Sequence, residues 1–260
     1  MSRAGLAGEG NGYGPTPRAP AMDVVEALAA RSGTTCLVGA GGKKTTMRTL
    51  AARTDAVVTA TVRIPIFDRW VEHVVVTDDP VSAAERVDGR PLGVVPERER
   101  EDRYRGYDPS VVDRLARAVG DPLVVKADGA RSRLLKAPAD HEPRLPASAD
   151  TVVPVASVRA VGKPLTDEHV HRVARVAALT GRSPGEELRP DDIAAVLADE
   201  AGGLKDVPDG ATAVPLLNMV DDERLAAMAR EVARAVHDRT DAPRVVLAEM
   251  RAADPVVDVV

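Results

Sequence analysis

Eight short, unbroken apolar runs punctuate the chain: "TTCLVG", "AVVTATV", "HVVVT", "PLGVV", "PLVVKAD", "DTVVPVAS", "AVPLLNMV" and "RVVLAEM". Each is too short for a helix, and none shows the polar alternation of a strand with one wet face. They read as strands buried on both sides. Helix-type segments lie between several of them, at 110–119, 167–180 and 221–238. Short buried strands alternating with helices predict an α/β fold: a doubly wound, mostly parallel sheet covered on both faces. Strand order is not readable from such a pattern.

The run "TTCLVGAGGKKTTMRTLAART" joins a strand to a helix through glycines. In that context backbone N–H groups and a helix N-terminus converge on one point, where a nucleotide phosphate would sit. Gly39, Gly41 and Gly42 let the chain turn, and Lys43 supplies a mobile charge for the phosphates. The loop departs from G-x-x-x-x-G-K-[ST] at two places: Leu37 stands for the first glycine and Lys44 for the Mg²⁺-binding hydroxyl. Thr45 and Thr46 follow at once, so either a threonine one step along reaches the metal or Lys44 replaces part of its charge. "GAGGKKTT" also resembles the compact G-x-x-G-K-T-T loop of Mur-type ligases. The competing reading is a plain glycine turn between strand and helix.

Residues 1–21, rich in Gly and Pro, read as a disordered tail, and 22–260 as one P-loop-like nucleotide-binding domain. Asp23 is the expected N-cap of a short helix ending at Gly33. "PERERED" and "GRSPGEELRPDD" read as solvated loops. The formal net charge of −5 shows no nucleic-acid footprint, so a sugar-phosphate backbone is not an expected partner. A single cysteine, Cys36, excludes an intramolecular disulfide and any thiolate-rich metal site. It lies within a buried-type strand and reads as an inert thiol. No apolar run has the ~18–20 residues that cross a bilayer. The expected compartment is the cytoplasm, with no membrane partner.

A second constellation begins where "PLVVKAD" ends. Asp128 stands at a strand's carboxyl edge, where open α/β sheets bind ligands, and is the candidate to hold Mg²⁺ opposite Lys43. Gly129 keeps the turn open. Arg131, Arg133 and Lys136 add three cations on the loop leaving that edge, suited to phosphate or an anionic substrate. His141 and Glu142 are candidate proton donor and acceptor. His169 and His171, two apart on an expected helix, do not share a face and make a poor metal pair. After the strand "AVPLLNMV", Asn218 and Asp221 occupy positions of an N-K-x-D guanine reader, with Met219 in place of its lysine; a simple helix cap is the other reading.

The order "GAGGKKTT", "ADGARSRLLKAPADHEP", "VGKPL…VHR", "NMVD" resembles the YqeC-type family, accessory proteins for selenium-dependent molybdenum hydroxylases. The resemblance implies a P-loop NTPase-like fold binding ATP or GTP with Mg²⁺, and a role in maturing a selenium-containing molybdenum cofactor or its hydroxylase. It also implies that the loop glycines and Lys43 hold phosphate; the reading of the loop itself adds Lys44, Thr45 and Thr46 as phosphate candidates and Thr45 with Asp128 as metal candidates. By the same resemblance Asp128, Gly129, Arg131, Lys136, His141 and Glu142 would line the shared pocket; on the residues alone, Arg131 is a candidate to stabilise charge in transit and Asn218 and Asp221 to bind the base. This chain departs from the expected pattern at Lys44, at Lys126 before A-D-G, and at Met219. Two alternatives stand beside it: an ATP-dependent ligase or small-molecule kinase, and a nucleotide-switched chaperone that does not hydrolyse.

Overall fold

The computed structural model describes residues 22–260; the expected tail lies outside them. A one-turn helix α1 (Val24–Ala27) leads into β1 (Thr34–Gly39), α2 (Lys43–Thr54), β2 (Val57–Ala60) and β3 (Ile64–Pro65). Then come β4 (His73–Val76), α3 (Pro80–Arg86), β5 (Leu92–Val95), β6 (Arg103–Tyr104), α4 (Pro109–Ala118) and β7 (Leu123–Lys126). The middle of the chain forms β8 (Leu135–Lys136), β9 (Thr151–Ser157), β10 (Val170–His171), α5 (Val173–Thr180) and α6 (Pro190–Ala198). It ends in β11 (Thr212–Ala213), β12 (Leu216–Asn218), α7 (Glu223–His237), β13 (Val246–Ala248) and β14 (Val256–Val259).

Each of the eight apolar runs supplies one strand of a ten-stranded sheet, ordered β14-β13-β12-β9-β1-β7-β2-β5-β4 with β11 also on β9. All its pairings are parallel except β13–β14. Neighbouring residues of one strand feed opposite layers: Val124 packs in the cluster with Leu28, Met47 and Leu50, and Val125 in the cluster with Val112 and Leu115. In β12, Leu216 joins the first of these while Leu217 faces Ile193, Leu197 and Val232. That period-two division is why continuous apolar runs were required. Each such side chain contributes about 1.5–3 kcal/mol by leaving water.

The strand order sets two loops side by side. The β1→α2→β2 connection steps over β7, which lies between β1 and β2. The Asp128 loop therefore leaves the sheet directly beside the glycine loop. Aspartates cap α1, α3, α4 and α7, each accepting a first-turn N–H. Helix α2 starts instead at Gly42, with no side-chain cap.

Three expectations are corrected. His171 lies in β10, paired with β8, and α5 starts only at Val173, because residues 170–171 complete a two-strand ladder first. "GRSPGEELRPDD" is not wholly a solvated loop: its end starts α6, and Asp192 is buried, bonded to Arg182 and to the Arg189 backbone. Lys136 is no loop cation either, since it is a buried residue of β8. The strand β14 was not foreseen, because its half-buried edge carries a charge, Asp258, inside the apolar run.

Candidate functional site

The glycines of the loop are demanded by packing before any ligand is considered. A Cβ on Gly39 would meet the Val155 carbonyl at 2.3 Å, one on Gly41 the Ser157 nitrogen at 2.3 Å, and one on Gly42 the Asn218 amide at 1.9 Å. All three residues have positive φ. The loop is tied down by Ala40 N–H to Val155 O at 2.8 Å and Gly41 N–H to Arg133 O at 2.9 Å. The Asn218 amide donates to Gly41 O at 2.9 Å and accepts from Met250 N–H at 3.2 Å. Asn218 thus braces the loop from behind.

In front of the loop the uncapped first turn of α2 opens on a cleft of about 1880 Å³, with Gly42, Lys43, Lys44 and Thr45 on its wall. The displaced-hydroxyl question has a local answer. Thr46 is buried and its hydroxyl donates to Gly42 O at 3.3 Å, whereas Thr45 faces the cleft. Lys44 is exposed, its ammonium 5.9 Å from the centre of the Trp70 ring.

Behind the first turn lies a buried ionic cluster. Lys43 hydrogen-bonds Gly39 O and sits 2.7 Å from Asp128 Oδ1, an ion pair without hydrogen-bond alignment, as that oxygen has no hydrogen-bond partner. Asp128 Oδ2 accepts from Gly39 N–H at 2.8 Å and from Lys136 at 2.6 Å. Lys136 also reaches Glu142 Oε2 at 2.7 Å and Gly129 O at 2.5 Å, and Arg172 meets the same Glu142 oxygen at 2.7 Å. Lys126 donates to Asp128 O and Arg63 O at 2.7 and 2.8 Å. Two buried ammonium groups and a half-buried guanidinium therefore share two carboxylates, while a third buried ammonium, Lys126, is held by backbone carbonyls.

The titration shifts reflect this crowding. Burial lowers Lys43 despite Asp128, with Lys136 adding to the effect. Burial, then the neighbouring Lys43, brings Lys126 down to about 7. Burial alone would raise Asp128 and Glu142, but Lys43 and Lys136 hold Asp128 below its ordinary value, and Lys136 with Arg172 hold Glu142 at about 2. His171 falls to about 4 through burial and the charges of Arg172, Lys136 and Arg131. Both carboxylates are thus ionised and the histidine neutral at physiological pH. Cys36 is buried, and burial pushes its thiol pKa up, as expected of an inert sulfur.

Of the residues singled out from sequence, Lys43, Asp128, Gly129, Lys136 and Glu142 converge on this cluster, and Thr45, Lys44, Arg131 and His141 line the cleft in front of it. Asn218 and Asp221 are each engaged by other groups in this structure. Asn218 is spent on the loop, and the Asp221 carboxylate pairs with Arg159 away from the cleft. Sequence reasoning missed Arg172, Trp70 and Met250, and the arginines at 63, 100 and 103 on the cleft wall. Arg172 alone carried a signal, through the "VHR" element.

A family model described as "YqeC protein" matches residues 35–174, a span running from β1 through the glycine loop, Asp128, Glu142 and Arg172. The chain belongs to the YqeC family. A curated relative from Escherichia coli (strain K12), described as "Uncharacterized protein YqeC", is 34% identical over 119 residues, covering 45% of this chain. The aligned part spans 46% of the relative's own length, about half of it. No solved structure matches the chain. The YqeC match thus contains the whole ionic cluster, whereas the Asn218 brace lies outside the matched span.

Proposed function

We propose that this YqeC-family chain binds a nucleoside triphosphate, ATP or GTP, with Mg²⁺ at the glycine loop of a P-loop-like fold. The observation that carries it is the pairing of Lys43 with Asp128 beside the uncapped start of α2, at the carboxyl edges of adjacent parallel strands. Free N–H donors, a mobile cation and a carboxylate at one strand edge form the equipment of a phosphate site. Lys43 would leave Asp128 for the phosphates, freeing a buried Oδ1 that has no hydrogen-bond partner. Asp128 and the Thr45 hydroxyl would hold Mg²⁺ together with phosphate oxygens, an all-oxygen donor set of the kind that ion takes. Among the described residues no group of three or more His, Cys, Asp and Glu side chains gathers to hold a metal, so the ion would depend on the nucleotide's oxygens. Once bound, it would neutralise phosphate charge.

The chemistry this supports is phosphoryl transfer or ligase-type activation, in the service of maturing a molybdenum hydroxylase or its selenium-containing cofactor, the role that the family resemblance implies. A second reading, a nucleotide switch without hydrolysis, is favoured by one observation: Glu142 Oε2 is held by both Lys136 and Arg172 at 2.7 Å, which makes its carboxylate a poor base toward water. In both readings Arg131 and Lys136 hold charge rather than move protons. Because Asn218 and Asp221 are engaged elsewhere, ATP and GTP are expected to bind alike.

The test is calorimetric titration of ATP and GTP, with and without Mg²⁺, into the intact chain and a Lys43→Ala variant. A loss of at least a hundredfold in affinity on removing Lys43 is expected. A folded variant that binds as tightly as the parent overturns the assignment, and turnover assays on the parent then separate transferase from switch.

A further inference from the structure

The chain carries a formal charge of −5, yet its cleft is lined by thirteen Lys and Arg side chains against two carboxylates, Glu142 and Asp167. Partner carboxylates offset only some of them. Among the described residues Arg48, Arg100, Arg131 and Arg133 form no close ion pair with a carboxylate, Arg100 acting on Glu99 only at longer range, and a Mg²⁺-bound triphosphate would leave much of the positive charge unanswered. Volume agrees with charge. At about 1880 Å³ the cleft is roughly twice the upper end of the ~300–1,000 Å³ that holds one drug-sized ligand.

The cations of the cleft divide between two walls. Arg48, Arg131 and Arg133 flank the glycine loop, while Arg63, Arg100 and Arg103 stand on a second wall, at the β3–β6 ribbon, where Arg103 pairs with Asp102 at 3.3 Å. That second wall is built rather than loose. Glu99 clamps Arg63 through two bonds of 2.5 and 2.6 Å, and Arg100 is bridged by backbone to Arg103. Trp70 stands on it with Lys44 of α2 over its ring, linking the two walls.

We propose that the ribbon wall is a second anion-binding pole, which takes a phosphate-bearing small molecule alongside the nucleotide. It rests on the nucleotide reading only for the occupant of the first pole. A small molecule is favoured over a nucleic-acid strand because strand-binding grooves stack successive bases on aromatic platforms, and Trp70 is the single Phe, Tyr or Trp side chain lining this cleft among the described residues. The ligand would meet the guanidinium of Arg100 first, with Arg103 beside it paired to Asp102 and the Arg63 fork held by Glu99; planar guanidinium donors suit a phosphate better than point charges do.

Trp70 is the chain's single tryptophan, so its fluorescence reports on the cleft directly. The experiment titrates inorganic pyrophosphate, at constant free Mg²⁺ and ionic strength, into the full chain saturated with ATP. Calorimetry and Trp70 emission are followed together. One equivalent should bind to the loaded protein, weakened at least tenfold in an Arg100→Ala/Arg103→Ala variant whose ATP affinity stays within twofold of the parent. A Lys43→Ala variant should lose ATP yet keep this equivalent. No pyrophosphate binding to the ATP-loaded chain, or binding indifferent to the two arginines, overturns the second pole while leaving the nucleotide reading intact. Two equivalents on unloaded protein that binds no ATP would sink the nucleotide reading and leave the second pole standing. A twelve-residue oligothymidylate that displaces pyrophosphate at lower concentration would also overturn it, in favour of a nucleic-acid groove.

Discussion

Asp128→Asn is the perturbation that interrogates the cluster most directly. Asn keeps the shape and the acceptor for Gly39 N–H, so what it removes is the charge shared by Lys43 and Lys136. Lys136 retains Glu142 and Gly129 O, but Lys43 is left with the Gly39 carbonyl alone. Orphaning one charge of a buried pair costs about 3–5 kcal/mol. The lower end applies here, because Lys43 stands on the cleft wall and can swing toward solvent. At roughly 2–4 °C per kcal/mol for a chain of this size, a loss of about 3 kcal/mol lowers Tm by about 6–12 °C. Guanidinium unfolding followed by circular dichroism supplies the free energy, and a thermal scan the shift. Adding Lys43→Met to Asp128→Asn removes the orphan and should recover part of the loss. An Asp128→Asn variant within 1 kcal/mol of the parent, or a double variant no more stable than the single, would refute the reasoning.

The same geometry carries two further expected outcomes. Lys126 titrates at about 7 in the folded chain against an ordinary 10.5, so between those values the unfolded chain binds more protons and stability rises with pH. Replacing it by Met should therefore stabilise the protein most below pH 7, with the gain shrinking toward pH 10.5 in urea titrations run across that range; a gain that does not change with pH would contradict the burial of a charged Lys126. Gly42→Ala drives a methyl into the Asn218 amide and should destabilise the loop, whereas Gly42→Ala/Asn218→Ala should cost less than the two single changes added. Strict additivity in a double-mutant cycle would mean that Asn218 does not brace the loop.

Much of this molecule was legible locally. Strands buried on both faces must be continuously apolar, so "PLVVKAD" and "DTVVPVAS" announced β7 and β9 without reference to any partner. The glycine loop was legible for the same reason, as its strand, turn and helix are contiguous in the chain, and Asp128 was legible because a polar residue ending an apolar strand stands at a sheet edge. Weaker local signals failed. The ladder at Val170–His171 and the start of α6 depend on packing partners far away in sequence, and no periodicity in two or four residues marks them.

What the chain alone determined, then, is a parallel α/β sheet with a glycine loop and a carboxylate at strand ends, because those features arise between residues a few positions apart. Only the tertiary structure decided that β7 is inserted between β1 and β2, which brings Asp128 within 2.7 Å of Lys43 although the two lie far apart along the chain. It alone turned Thr46 inward and left Thr45 on the cleft. It also gathered arginines from separate loops onto one cleft of an acidic protein. Net charge sums over the whole sequence and cannot see that concentration, whereas the field that a ligand meets depends on which charges lie within a Debye length of one another, about 8 Å at physiological salt.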